Sequence, residues 1–203
     1  MSRPVRLMRL VAAALLVVAL SRPAWAGLES GVAAYDAGDY LAAYRELYPL
    51  AEKGDAVAAY LVSRMLFAGQ GISANAETAL KWLRAAAEKG EPNAQTQLAM
   101  RYELGAGVAQ SDAEAFAWYK RAAAQGAPVA QLHLGILYGD GRGVAADPVL
   151  AHMWLNLGAA ALPPGPVRNS AARLRDQVTA RLTPEQTATA HRLARDWRPT
   201  PQK

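Results

Sequence analysis

The chain has 203 residues, no cysteine and 22 basic against 17 acidic side chains, a formal net charge of +5. Without thiols it has no disulfide, no cysteine nucleophile and no thiolate metal site. Arg3, Arg6, Arg9 and Arg22 fall in the first 26 residues, which hold no acid; residues 27–203 keep 18 basic and 17 acidic groups, too even a balance for a phosphate-binding surface, so nucleic acid is excluded as a partner.

The chain opens with a basic segment, then an unbroken apolar run of eleven residues from Leu10 to Leu20, then Ala24-Trp25-Ala26. A bilayer span takes roughly 20 apolar residues, so the run is too short for one. Basic start, short apolar centre and small-x-small end are the three parts of a secretory leader. With no twin-arginine pair and no lipobox cysteine, residues 1–26 are expected to be removed after Ala26 by ordinary export. The product is then periplasmic or secreted, with no stable membrane span.

Residues 27–53 predict a divergent helical hairpin, with helices near 28–37 and 40–53. From Gly54 onward the sequence repeats. Gly54, Gly90 and Gly126 are 36 residues apart and open three ungapped blocks, 54–89, 90–125 and 126–161. A period of this length marks a stack of helix pairs. In the first helix of each block Ala58, Ala94 and Ala130 are followed by Val62, Leu98 and Leu134, small Ser63, Ala99 and Gly135, and then Leu66, Tyr102 and Tyr138, all on one helical stripe. The second helix carries Ala79, Ala115 and Ala151, and then Trp82, Trp118 and Trp154, which this spacing assigns to the core. Asn75, Ser111 and Asp147 precede it as N-caps; Ser111 with Glu114 reads as a capping box.

Between the paired helices stand Gly69-x-Gly71, Gly105-x-Gly107 and Gly141-x-Gly143. Phosphate-binding glycine loops follow a strand and occur once per site. These follow a helix and occur in every block, so they supply the backbone angles of a turn. After the third block "LPPGPVRNS" breaks the pattern. Residues 162–203 predict two capping helices near 167–182 and 184–197, the latter opened by Thr183, Pro184 and Gln186, and then a frayed end "RPTPQK". Residues 27–161 carry a net charge of −4 and residues 162–203 carry +5.

The order Ala130, Leu134-Gly135, Tyr138, Gly141-x-Gly143-Val144, Asp147, Ala151, Trp154, at 36 residues, resembles the Sel1-like repeat (SLR), a relative of the tetratricopeptide repeat. The first block departs from it at Val62-Ser63, Leu66 and Ile72. The segment "RLRDQVTARLTPEQTATAHRLARDW" is similar to the tail that closes many bacterial members. The resemblance implies an all-α fold, a right-handed α-solenoid of stacked helix-turn-helix repeats, whose first helices line a concave binding surface. Carried over from tetratricopeptide geometry, the partner-binding face comprises Val57, Tyr60, Arg64, Asn93, Thr96, Met100, Leu132, His133, Ile136 and Asp140. The implied function is that of a monomeric protein–protein interaction module, a scaffold or regulator in a cell-envelope complex. Some cysteine-rich exported relatives are linked to β-lactam or peptidoglycan chemistry. This chain lacks their cysteines, and a peptidoglycan-fragment or β-lactam binder with weak hydrolytic activity is the alternative.

The residues themselves give no catalytic set, cofactor loop or metal site. His133, His152 and His191 are scattered, with no pair at ligand spacing on one face. His152 is expected on the outer side of the second helix, and His133 lies close to the concave face. No serine or threonine has a base and an orienting group in pattern with it. Asp112 and Glu114 read as first-turn acids favoured by the helix dipole. The chain is therefore read as a non-enzyme without cofactors. N-terminal sequencing of the exported protein should begin at Gly27; an intact Met1 would show that the leader is retained.

Overall fold

The computed structural model describes residues 24–200, so most of the expected leader and the last three residues lie outside it. Among the described residues there are ten helices of 13 or 14 residues and no strand: α1 Ala24–Asp36, α2 Tyr40–Glu52, α3 Ala56–Ala68, α4 Ala76–Glu88, α5 Pro92–Leu104, α6 Asp112–Ala124, α7 Pro128–Asp140, α8 Pro148–Ala161, α9 Pro166–Thr179 and α10 Pro184–Asp196. Each first helix packs antiparallel on its second, and each second helix on the next first. The solenoid of stacked helix pairs is the architecture the 36-residue period predicts.

Local chemistry sets the helix ends. The carboxylates of Asp39 and Asp55, the Asn75 amide oxygen and the Ser111 hydroxyl each accept from the backbone N–H three residues on. These satisfy donors that a helix start leaves open. For Ser111 only this forward half of the expected capping box is made; the complete reciprocal box is Thr183 with Gln186. First helices end at Gly69, Gly105 and Gly141, with φ of 66°, 69° and 70°, a left-handed conformation that costs a glycine nothing.

The second glycine of the loop has a different task. A Cβ on Gly71 would lie 2.6 Å from the carbonyl carbon of Tyr40, and one on Gly143 would lie 2.2 Å from the carbonyl oxygen of Asp112. In repeats one and three the loop thus presses onto the N-terminus of the preceding second helix. Gly107 also has positive φ, 80°, but nothing lies within 4 Å of its would-be Cβ.

The first helices α1, α3, α5 and α7 form one layer, joined directly by Arg64 over Tyr35, Arg101 over Phe67 and His133 against Glu103. The second helices form the other layer. Tyr48 and Trp82 meet edge to face at 5.9 Å across it. The three tryptophans depart from the sequence expectation. Trp82, Trp118 and Trp154 are half-buried, whereas the residues after them, Leu83, Tyr119 and Leu155, are enclosed. The tryptophans stand at the outer edge of each repeat junction. There one side meets a neighbouring aromatic ring or, for Trp118, the Arg121 guanidinium at 4.6 Å, another packs on the buried cluster beneath, and the remainder is open to water.

Two buried glutamines at equivalent positions tie the repeats together. Gln95 Nε2 donates to the Ala87 carbonyl at 3.0 Å, and Gln131 Nε2 to the Ala123 carbonyl at 3.3 Å. Both acceptors lie in the last turn of the preceding second helix, where they also take the Gly90 and Gly126 backbone N–H groups at 3.0 Å. A second tie runs back one full repeat, from Lys89 Nζ to the Gly54 carbonyl at 2.7 Å and from Gln125 Nε2 to the Gly90 carbonyl at 3.0 Å.

Helices α9 and α10 both pack on α8 and close the array. Leu162 and Ala171 join Leu132, Leu155 and Ala159 in one buried cluster, and Trp197 meets Trp154 edge to face at 6.0 Å. The chain end is not frayed up to residue 200: the Thr200 N–H donates to the Ala124 carbonyl at 2.8 Å. The histidines are also rearranged relative to expectation. His152 lies on the side of α8 that α10 covers, is 2% exposed, and stacks on His191 at 5.0 Å. The outer side of α8 is outer only until the tail is laid on it.

Two predictions follow from these contacts. Gly107→Ala should cost about 1–2 kcal/mol, the penalty of a left-handed alanine. Gly143→Ala should cost a further ~1–3 kcal/mol, because backbone must move to admit the methyl group; urea melts of the two variants give the difference. For His152, burial is the main cause lowering its pKa, helped by His191 and Arg175 and opposed by Asp176. The unfolded chain therefore takes up this proton first. Stability is full above the free-histidine value, about 6.5, and declines as pH falls below it. Thermal melts at successive pH values should show this slope in the wild type and a weaker one in His152→Phe.

Candidate partner-binding face

The first-helix layer presents the ten sequence-predicted positions in different ways. Val57, Arg64, Asn93 and Asp140 are exposed. Tyr60, Met100, His133 and Ile136 are half-buried. Thr96 and Leu132 are buried, at 6% and 7% exposure, and have little to offer a partner. The Thr96 hydroxyl is spent on the Pro92 carbonyl at 2.7 Å, and Leu132 belongs to the cluster under the C-terminal cap, with Ile136 packed against it. The rise of α9 beside α7 thus withdraws part of the third repeat from the face.

At the N-terminal end Arg64 is held between rings. Its guanidinium carbon lies 5.2 Å from the Tyr35 ring centroid and 5.8 Å from that of Tyr60. Asn93 donates to Glu91 at 2.9 Å, and Glu91 is itself the side-chain cap of α5, accepting from the Ala94 N–H. Exposed apolar side chains lie on the same helices: Val57 at 41%, Leu104 at 71% and Val129 at 36%.

A polar network spans the second and third repeats. Glu103, at the end of α5, has a side chain only 13% exposed. Its Oε2 accepts from the Tyr119 hydroxyl at 2.8 Å and from His133 Nδ1 at 3.2 Å; its Oε1 accepts from Arg142 at 3.0 Å. Arg142 grips Asp112 with two more donors at 2.7 and 3.2 Å, and the Tyr119 and His133 rings stack at 4.9 Å. The His133 hydrogen bond is the largest cause holding the Glu103 carboxyl down to about 2, with Tyr119 and Arg142 adding to it and burial opposing. Burial and the adjoining carboxylate push the Tyr119 phenol well above its ordinary value. Every oxygen of Glu103 is thus engaged by protein donors, which makes the cluster a joint between repeats.

Sequence reasoning found His133 and missed the rest of this cluster, because Asp112 was assigned to the helix dipole. The signal was present as column departures. Glu103 stands where the other blocks have Phe67 and Gly139, Tyr119 where they have Leu83 and Leu155, and Arg142 where they have Gln70 and Ala106. Polar and charged residues concentrated at one junction, in columns that are otherwise mostly apolar or small and nowhere charged, mark a local network. Tyr35 was missed as the partner of Arg64 because it lies in the divergent first hairpin.

The family model of the Sel1 repeat matches residues 56–91, 92–126 and 128–161. Among solved structures, the chain is similar to a Sel1 repeat protein from Oxalobacter formigenes, at 41% identity over 65% of this chain and 96% of that one, with a TM-score of 0.59. It is also similar to c5321, a protective antigen present in uropathogenic Escherichia coli strains that displays an SLR fold. That match has 29% identity over 77% of this chain and a TM-score of 0.65, and it spans about a third (32%) of the antigen's length. No curated protein matches the chain.

Ionised Glu103 should stabilise the fold fully above the free-carboxyl pKa, near 4.5, and this contribution should be lost as pH falls towards about 2. Urea titrations across that window should show a steeper loss in the wild type than in Glu103→Gln. Tyr119→Phe, which removes one donor of the three, should cost ~1 kcal/mol at neutral pH.

Proposed function

The chain belongs to the Sel1 repeat family, and on that premise we propose that it is an exported interaction module of the bacterial cell envelope that holds a segment of a partner protein on its first-helix face. Sel1 repeat proteins generally mediate protein–protein interactions. The observation that carries the reading is the composition of that face. Exposed Val57, Leu104 and Val129 lie among the exposed polar side chains Arg64, Asn93 and Asp140, on helices whose own core residues point elsewhere. Aliphatic and arginine contacts of this kind, on a rigid scaffold, suit recognition of a peptide segment. Export to the periplasm rests on the leader-like residues 1–26, and action as a monomer on an array closed at its C-terminal end by its own helices. The Glu103 cluster supports a non-enzymatic reading, since its carboxylate, phenol and imidazole are spent on one another.

The test is affinity capture from the native envelope fraction with the mature protein as bait. Val57→Arg with Asn93→Arg places two long cations at equivalent exposed positions of repeats one and two. The double variant should melt like the wild type and recover its partner at least about tenfold less well, which corresponds to ~1.4 kcal/mol. Undiminished recovery of every partner would remove the first-helix face as the binding surface.

A further inference from the structure

Arg64 is a charge without a counter-charge. It is exposed, it lies over Tyr35 and Tyr60, and among the described residues it forms no ion pair. Two rings on neighbouring helices restrict a side chain that otherwise carries large rotamer entropy, so the fork is set in place before anything binds. Apart from one hydrogen bond to the Tyr60 hydroxyl, a guanidinium held this way keeps donors that match a carboxylate, which it can take with two parallel hydrogen bonds. Phosphate polymers fit less well: among the ten face positions the other charged side chain is the acid Asp140, and a single cation gives little of the counterion release on which such binding depends.

The residue at the Arg64 position of the next repeat is Met100, which is half-buried. The same position in the third repeat is Ile136. Along the layer the row therefore changes from cation to apolar. Packed helices lie about 8–10 Å apart, and α3 and α5, which each pack on α4 rather than closely on one another, stand at least that far apart. An extended chain advances about 3.3 Å per residue, so the step from Arg64 to Met100 takes roughly three or more residues of a bound strand.

Resting on the interaction-module reading above, we infer that the first-helix face takes an extended peptide segment in which an acidic side chain seats on Arg64 and an apolar side chain roughly three or more residues away seats on Met100. Arg64 fixes register and charge selection; Met100, an unbranched and adaptable side chain, tolerates several apolar partners.

The experiment is selection from a phage-displayed library of random peptides of about twelve residues, with the mature protein as bait, alongside the variants Arg64→Glu and Val57→Arg with Asn93→Arg. The exposed position of Arg64 leaves the fold intact, which melting curves check. Wild-type selection should enrich Asp or Glu with an apolar residue at a fixed spacing of roughly three or more positions, and Arg64→Glu should replace the acidic preference with Lys or Arg. Enriched peptides whose acidic preference survives Arg64→Glu, or which carry no acid, would overturn the inference; if the double variant also loses them, the first-helix face still stands as the binding surface. If no sequence is enriched, or if the double variant enriches the same peptides, both the inference and the reading beneath it fall.

Discussion

The fold depends on what happens to the open carbonyls at the end of each second helix. A helix cannot satisfy its own last acceptors, and in a stack of hairpins those ends are covered by the next repeat, where water cannot serve them. Gln95 and Gln131 answer this with a buried amide reaching back to Ala87 and Ala123. The two carbonyls also take the Gly90 and Gly126 N–H groups, so each bond chiefly satisfies a buried glutamine amide, which would cost about 1–3 kcal/mol if left unpaired. Each also fixes the rotation of one repeat on the last, since an amide reaches its acceptor in one setting only. In a linear array, where stability is held in nearest-neighbour interfaces, these contacts convert a pile of hairpins into one object.

The two repeat junctions are built from different materials. Between the first and second repeats the contacts are aromatic and cation–π, with Arg101 on Phe67 at 3.5 Å. Between the second and third, ionic contacts join the aromatic ones, with Glu103, Arg142 and Asp112 linked across both helices and loop. The loop glycine at 143 belongs to the same arrangement, because its close approach to the Asp112 backbone brings the adjacent Arg142 within reach of both acids. Salt and acid should therefore act unequally along the molecule, and most at its C-terminal half.

Helix pairs, their boundaries and the role of the glycine loops were legible because they rest on properties shared by all three blocks: a period, a stripe, a cap, a left-handed stop. What was not legible lies where one block differs from the others or where distant segments meet. The tryptophan column looked like core because tryptophan is large and apolar, yet the smaller Leu83 and Leu155 are the enclosed residues and the indoles span the junction edge. The Glu103 cluster was hidden by averaging over columns. The pairing of His152 with His191 could not be read at all, since it depends on where α10 comes to rest. On the face itself, position in the repeat placed Val57, Arg64 and Asn93 in the open, but it could not foresee that the cap would crowd Leu132 and Ile136.

The return of the chain end to Ala124 has a consequence for how the molecule comes apart. Linear arrays are weakest at their ends, where a terminal unit has one neighbour and can peel away alone. Here residues 197–200 pack on α8 through Trp197 and Trp154 and are stitched, through Thr200, to the final turn of the second repeat, one whole repeat back. The third repeat is thereby enclosed by its own successor and cannot fray without first releasing that strap.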